Sequence, residues 1–223
     1  MNKVRLINAN HYSPSKIVAV GLNYSEHIAE MQSKQADEPV IFMKPNSALC
    51  RIYEPIAIPT EYGSVHHEIE LAVLIGKAGF EIAESEAMHH VAGYGIALDL
   101  TLRDMQKKAK ERGHPWAIAK GFKNACPVSD FFPAEQIENA HNLDLKLIVN
   151  GKLRQKGNTR QMLFKIPELI AYISKFFPLE EGDILLTGTP SGVGPLKSGD
   201  VVEAEIESLA NVQTKIVSWN HGK

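Results

Sequence analysis

The chain has little of what would place a protein quickly. It holds two cysteines, Cys50 and Cys126, in 223 residues. That is too few for a disulfide framework and ordinary for a reducing compartment. No apolar run approaches the roughly 20 residues that cross a bilayer as a helix. The opening Met1 to Leu6 has none of the long apolar stretch of a secretory signal. An excess of one charge is missing as well, since 24 basic and 26 acidic side chains leave a formal charge of -2. With no basic block there is no electrostatic footprint for nucleic acid. Internal repeats and low-complexity tracts are absent. The expectation is a soluble, cytoplasmic protein with neither a membrane nor a nucleic-acid partner.

What is present is ordinary globular material: 44% apolar and 22% charged residues, with 16 Gly and 12 Pro. The length suffices for a core of useful size, and no convincing linker divides it. A single domain over residues 1–223, with 1–15 as an N-terminal extension, is expected. Strand signals dominate. Ile17 to Gly21, Val40 to Met43, Glu68 to Ile75, Tyr94 to Leu100, Ile184 to Thr187 and Val201 to Ile206 read as strands, the last alternating cleanly. Leu145 to Val149, Asn150-Gly151 and Lys152 to Gln155 spell a hairpin. Asn23-x-x-Glu26 reads as a box that starts a short helix through Met31. Thr101 to Arg112 reads as a helix stopped by Gly113, and Pro167 opens another. Helices are too few, and crossover units too irregular, for a doubly wound fold or an α/β barrel. The fold class predicted is a strand-rich α+β.

The chemistry gathers around His66-His67-Glu68-Ile69-Glu70. Residues two apart in a strand share a face, so Glu68 and Glu70 lie together opposite an apolar face of Ile69, Leu71, Val73 and Ile75. Two neighbouring carboxylates raise each other's cost of ionisation, and a hard divalent cation removes that cost. A solvated strand face is the plainer reading of a lone Glu-x-Glu, but Ala72 and Leu74 continue the same face without polar residues. The zinc motif His-Glu-x-x-His is broken by Leu71. Asp99 ends an apolar run, where an acid needs a partner or a metal; capping of the following helix is the alternative. His27 and Glu30, three apart on a helix, can touch, which suits a general base for water, although an idle exposed pair fits as well. Lys120 can stabilise an enolate or snorkel at a strand end. Thr187 to Gly194 is a glycine-rich loop that lacks the features of a P-loop. His11, His89, His90, His114, His141 and His221 show no metal spacing, and neither cysteine has a visible base partner.

In order along the chain, Gly21-Leu22-Asn23-Tyr24-Ser25-Glu26-His27, Phe42-Met43-Lys44-Pro45-Asn46-Ser47, His67-Glu68-Ile69-Glu70-Leu71, Gly93-Tyr94 to Asp104, Lys120-Gly121-Phe122, Cys126-Pro127-Val128, Val149-Asn150-Gly151 and Leu186 to Gly194 resemble the fumarylacetoacetate hydrolase family. The resemblance runs from Lys16 to Val217 and is strongest to its short members that act on acylpyruvates and oxaloacetate. It implies a mixed β-roll with peripheral helices, commonly a homodimer. It implies Mg²⁺ or Mn²⁺ on Glu68, Glu70 and Asp99, a water-activating dyad of His27 and Glu30, and enolate stabilisation by Lys120. Arg103, Gln106 and Thr189 would hold the oxygens of a small 2-oxo acid. The implied reaction is hydrolytic cleavage of acylpyruvates to pyruvate and a carboxylate, with decarboxylation or tautomerisation of oxaloacetate. A dienedioate isomerase or decarboxylase on the same site, or a non-catalytic 2-oxo-acid-binding protein, are the alternatives.

Overall fold

Apolar residues on both parities of a strand demand cover on both faces. Val18, Val20, Ile69, Leu71, Val73 and Leu185 enter one buried cluster. Their neighbours Ile17, Ala19, Ala72, Leu74, Ile184 and Leu186 enter a second. The computed structural model describes residues 3–219, so His221 lies outside the described residues. Between the two clusters runs a mixed sheet in the order Val40–Lys44, Ile17–Gly21, Ile184–Leu186, Ile69–Ile75, Val91–Leu98, Cys126–Val128, Leu49–Arg51. Two of its pairings are parallel. The α+β, strand-rich expectation holds.

A second sheet of five strands shows the half-buried pattern. In Asp144–Val149 and Val201–Ile206 every second residue is buried, and these residues close over the first cluster. Asn150 and Gly151 turn the hairpin at φ 52° and 71°, the left-handed pair that a two-residue turn requires.

The helices are α1 (Ser25–Glu30), α2 (Arg103–Glu111), α3 (Ala117–Gly121) and α4 (Ile166–Ser174). None among the described residues is long and apolar enough to cross a membrane. The capping box expected at Asn23 does not form. The N-cap of α1 is Tyr24, with no side-chain cap. Asn23 is fully buried and instead donates to the carbonyls of Thr187 and Phe164 (2.8 and 3.0 Å) and accepts from Phe164 N (2.8 Å). Satisfying three buried backbone groups outweighs one exposed cap. Helix α2 also starts later than expected, because Thr101–Leu102 pairs with Val65–His67.

Candidate active site

Strand register assembles the acids. Ile69 faces Leu98, and Asp99 N donates to Glu68 O (2.8 Å), so Asp99 stands opposite Glu68 although 31 residues separate them in sequence. Glu70 shares the parity of Ala72 and Leu74. One oxygen from each of Glu68, Glu70 and Asp99 lies within 4.8 Å of the others, and all three residues are at most 4% exposed. The solvated-face reading of Glu68 and Glu70 is thereby overturned, and Asp99 caps nothing: α2 has no side-chain cap.

Buried cations surround two of these acids. Lys120 Nζ lies 2.8 Å from Glu68 Oε2 and 2.5 Å from Asp99 Oδ2. It sits on α3 rather than at a strand end, and at 3% exposure it does not snorkel. Arg103 Nη2 donates to Glu68 Oε1. Lys44, 1% exposed, faces Asp99 Oδ1 at 2.6 Å and donates to the carbonyls of Lys120, Ala125 and Leu100 at 2.5, 2.9 and 3.2 Å. No role for Lys44 was read from the sequence. The signal existed, since Lys44 ends an apolar strand as Lys120 ends an apolar run.

Glu70 is the exception. Its Oε2 accepts from Gly188 N (2.7 Å), and no ion pair among the described residues reaches it. Burial first, then Asp99 and Glu68, push its carboxyl well above the usual range. For Glu68 burial pulls the same way, but Lys120, Arg103 and His27 together outweigh it and hold the group below the usual range. Burial likewise disfavours the Lys120 ammonium, and Asp99 and Glu68 more than offset it, so its pKa rises. An all-oxygen cluster with one uncompensated carboxylate fits a hard divalent ion such as Mg²⁺ or Mn²⁺.

Across the cleft lies α1. His27 Nδ1 meets Glu30 Oε2 at 3.1 Å. A carboxylate only accepts, so in the neutral ring Nδ1 carries the proton and Nε2 the free lone pair. His27 is 6% exposed and lines the cleft with Glu68, Glu70, Asp99, Arg103, Gln106, Lys120 and Thr189, while Glu30 stays exposed behind it. Two further contacts tie α1 to the glycine-rich loop. Glu30 Oε1 accepts from Gly192 N (3.0 Å) and Glu26 Oε2 from Ser191 Oγ (3.1 Å). Gly192 has φ +98°, and a Cβ there would stand 2.0 Å from the Arg154 carbonyl oxygen, so only glycine lets the loop lie on that strand.

Gln155 fixes the loop from below. Fully buried, it accepts from Ile69 N (3.1 Å) and His67 Nδ1 (2.9 Å) and donates to Thr189 Oγ1 (2.8 Å) and Pro190 O (2.9 Å). All four hydrogen-bonding positions of the amide are filled. Nothing marked it in the sequence, since its strand alternates it with Lys152, Arg154 and Lys156. Thr189 Oγ1 in turn donates to Ile69 O (2.8 Å), which commits its hydroxyl proton. The unspent donors are elsewhere. Arg103 Nη1 donates to Gln106 Oε1 (2.6 Å), while Arg103 Nε is buried without a partner among the described residues. The Gln106 amide nitrogen likewise has none there. Burial pushes the Cys50 thiol up to about 12 and Cys126 higher still, so neither is a nucleophile.

Residues 16–217 match the family described as fumarylacetoacetate (FAA) hydrolase C-terminal. The chain is 55% identical over 190 residues to oxaloacetate tautomerase YcgM of Escherichia coli (strain K12), covering 85% of this chain and 87% of that protein. It is 49% identical over 200 residues, 90% of each chain, to the mitochondrial oxaloacetate tautomerase FAHD1 of Mus musculus. Among solved structures it resembles fumarylpyruvate hydrolase from Pseudomonas aeruginosa in complex with Mn²⁺ and pyruvate. The TM-score there is 0.93 at 32% identity, over 98% of this chain and 96% of that one.

Proposed function

The chain belongs to the fumarylacetoacetate hydrolase family, and from that premise we propose that it carries out enolate chemistry on small 2-oxo acids. The reactions are keto–enol interconversion and decarboxylation of oxaloacetate, with hydrolytic cleavage of acylpyruvates at the same site. One observation carries the reading: a carboxylate-oriented imidazole (His27) and a buried ammonium (Lys120) line one cleft with three acids. The names of the two oxaloacetate tautomerases support the substrate, and the Mn²⁺ and pyruvate of the Pseudomonas structure support the cofactor and product class.

Glu68, Glu70 and Asp99 would hold Mg²⁺ or Mn²⁺, which when bound supplies Lewis-acid polarisation of a 2-oxo carbonyl. The remaining work falls to side chains. Arg103 Nε–H and the Gln106 amide donate to the substrate carboxylate, and the Thr189 loop closes beside it. Lys120 places its positive charge where the C2 oxygen becomes an enolate. In tautomerisation His27 Nε2 takes the C3 proton, and the C2 oxygen is protonated to give the enol. In decarboxylation the C3–C4 bond breaks, its electron pair enters the C2 carbonyl, CO₂ leaves, and C3 is then protonated to pyruvate. In acylpyruvate cleavage His27 takes a proton from water, and hydroxide adds to the C4 carbonyl. The C3–C4 bond then breaks to a carboxylic acid and the pyruvate enolate. Glu30 orients His27 throughout and stabilises its imidazolium.

The test follows pyruvate release from oxaloacetate and from acetylpyruvate, with enol–keto ratios recorded by NMR, in Mg²⁺ and in chelator. Chelator-sensitive turnover of oxaloacetate is expected. Silence with both substrates would overturn the reading and direct attention to longer dienedioates.

A further inference from the structure

Helix α2 presents Arg103, Gln106 and Lys110 to the cleft, at i, i+3 and i+7, one face of a helix. A helical side chain leans toward the N-terminus of its helix and covers the turn before its own Cα. Lys110 therefore reaches back over the Gln106 turn. Its Nζ rests 5.2 Å from the centroid of Trp116, another wall of the cleft. A lysine in a last helical turn commonly serves the helix dipole, but that role does not require it to face a cleft, and Lys108 fills it as well.

The charges of the cleft set Lys110 apart. Lys44, Lys120 and Arg103 pair with Glu68 and Asp99, so the three cations match the three acids in number although none of them reaches Glu70. Lys110 has no ion pair or hydrogen bond among the described residues. A divalent ion on the acids adds two positive charges. A 2-oxo monoacid returns one negative charge and a dicarboxylate two. Burial first, then Arg103 and Lys120, lower the Lys110 pKa against the opposing pull of Glu68, as expected of an ammonium that sits near other cations and makes no direct ion pair among the described residues.

We propose that Lys110 is the specificity-determining residue for a second carboxylate, so that the cleft prefers dicarboxylate 2-oxo acids to monocarboxylate acylpyruvates of similar size. This rests on the 2-oxo-acid reading above and deepens it. Arg103 and Gln106 take the carboxylate beside the keto group, and Lys110, at the mouth, takes the distal one. Oxaloacetate and acetylpyruvate make a matched pair, differing in whether C4 is a carboxylate or a methyl ketone.

The variants are Lys110→Met, which keeps the stem against Trp116, and Lys110→Arg, which restores the charge. Lys110→Met is expected to raise the oxaloacetate KM about 10-fold, with kcat and the acetylpyruvate KM unchanged within about twofold. Lys110→Arg should recover most of the loss, and the difference should shrink as salt rises. Binding of malate and of 2-hydroxybutyrate to the Mn²⁺-loaded protein, read by calorimetry, gives a readout without turnover. Wild type should prefer malate, and Lys110→Met should lose that preference. Equal losses for both substrates, no loss for either, or no preference for malate in wild type would overturn the proposal. A wild type that turns over neither substrate yet binds malate through Lys110 would sink the reaction and leave the carboxylate site standing.

Discussion

The floor and the rim of the cleft follow opposite plans. On the floor, both oxygens of Glu68 and of Asp99 face cations, and Lys44 is enclosed by three carbonyls and a carboxylate. Apart from Glu70, each charged group there is the counter-charge of another, so removing one strands the rest in a poor solvent for charge. On the rim, the six-residue α1 is held to the glycine-rich loop by Glu26–Ser191 and Glu30–Gly192. Lys110 leans on Trp116 and pairs with no acid among the described residues. Contacts of that kind are worth little singly and can change one at a time. The floor is where such a cleft holds a fixed chemistry, and the rim is where it selects a substrate.

The largest test of that contrast is Lys44→Met. It should lose about 3–5 kcal/mol of stability, the loss typical of removing one partner of a buried pair, read as a fall in the urea midpoint. A loss under about 1 kcal/mol would show that the floor is not a coupled network. Glu70→Gln should act in the opposite direction. By removing the one uncompensated acid it should stabilise the metal-free protein by about 1 kcal/mol while Mn²⁺ binding, followed by electron paramagnetic resonance, collapses. If metal-free stability falls instead, the repulsion at Glu70 is not the strain described.

His66, on the strand Val65–His67 that pairs with Thr101–Leu102, is pushed down to about 4 by burial first and then by Arg103 and His67. Its unfolded value is about 6.5, so from pH 6.5 downward the unfolded chain takes up a proton that the folded chain refuses. Its contribution is full above 6.5 and is lost as pH falls to about 4. His66→Gln should flatten the stability–pH slope across that window, and an unchanged slope would remove His66 from the account. The smallest effect belongs to Ser191→Ala on the rim, expected to leave unfolding within about 0.5 kcal/mol of wild type. A larger loss would erase the distinction between the two regions.

Much of the site was legible because its signals are local. Glu68 and Glu70 share a face by the period of two, Asn150-Gly151 marks its own turn, and His27 and Glu30 meet by helical spacing. Glu26 was read as a capping partner for Asn23, yet the structure gives Asn23 three backbone groups from Phe164 and Thr187 and gives Glu26 to Ser191. A capping box is also a local pattern, but local geometry cannot tell which of two satisfactions lies in the drier place.

The sequence by itself determined the strand-rich class, the buried strand Ile17–Gly21, the shared face of Glu68 and Glu70, and the candidate acids and base, because side-chain parity and turn chemistry act over a few residues. Only the tertiary structure decided that Asp99 stands opposite Glu68, that Lys44 and Lys120 are buried cations rather than surface lysines, that Gln155 fixes the Thr189 loop, and that Lys110 faces the cleft. Each of these depends on strand register or helix placement across tens of residues, and a lysine or glutamine reads the same in sequence whether water or a carboxylate surrounds it.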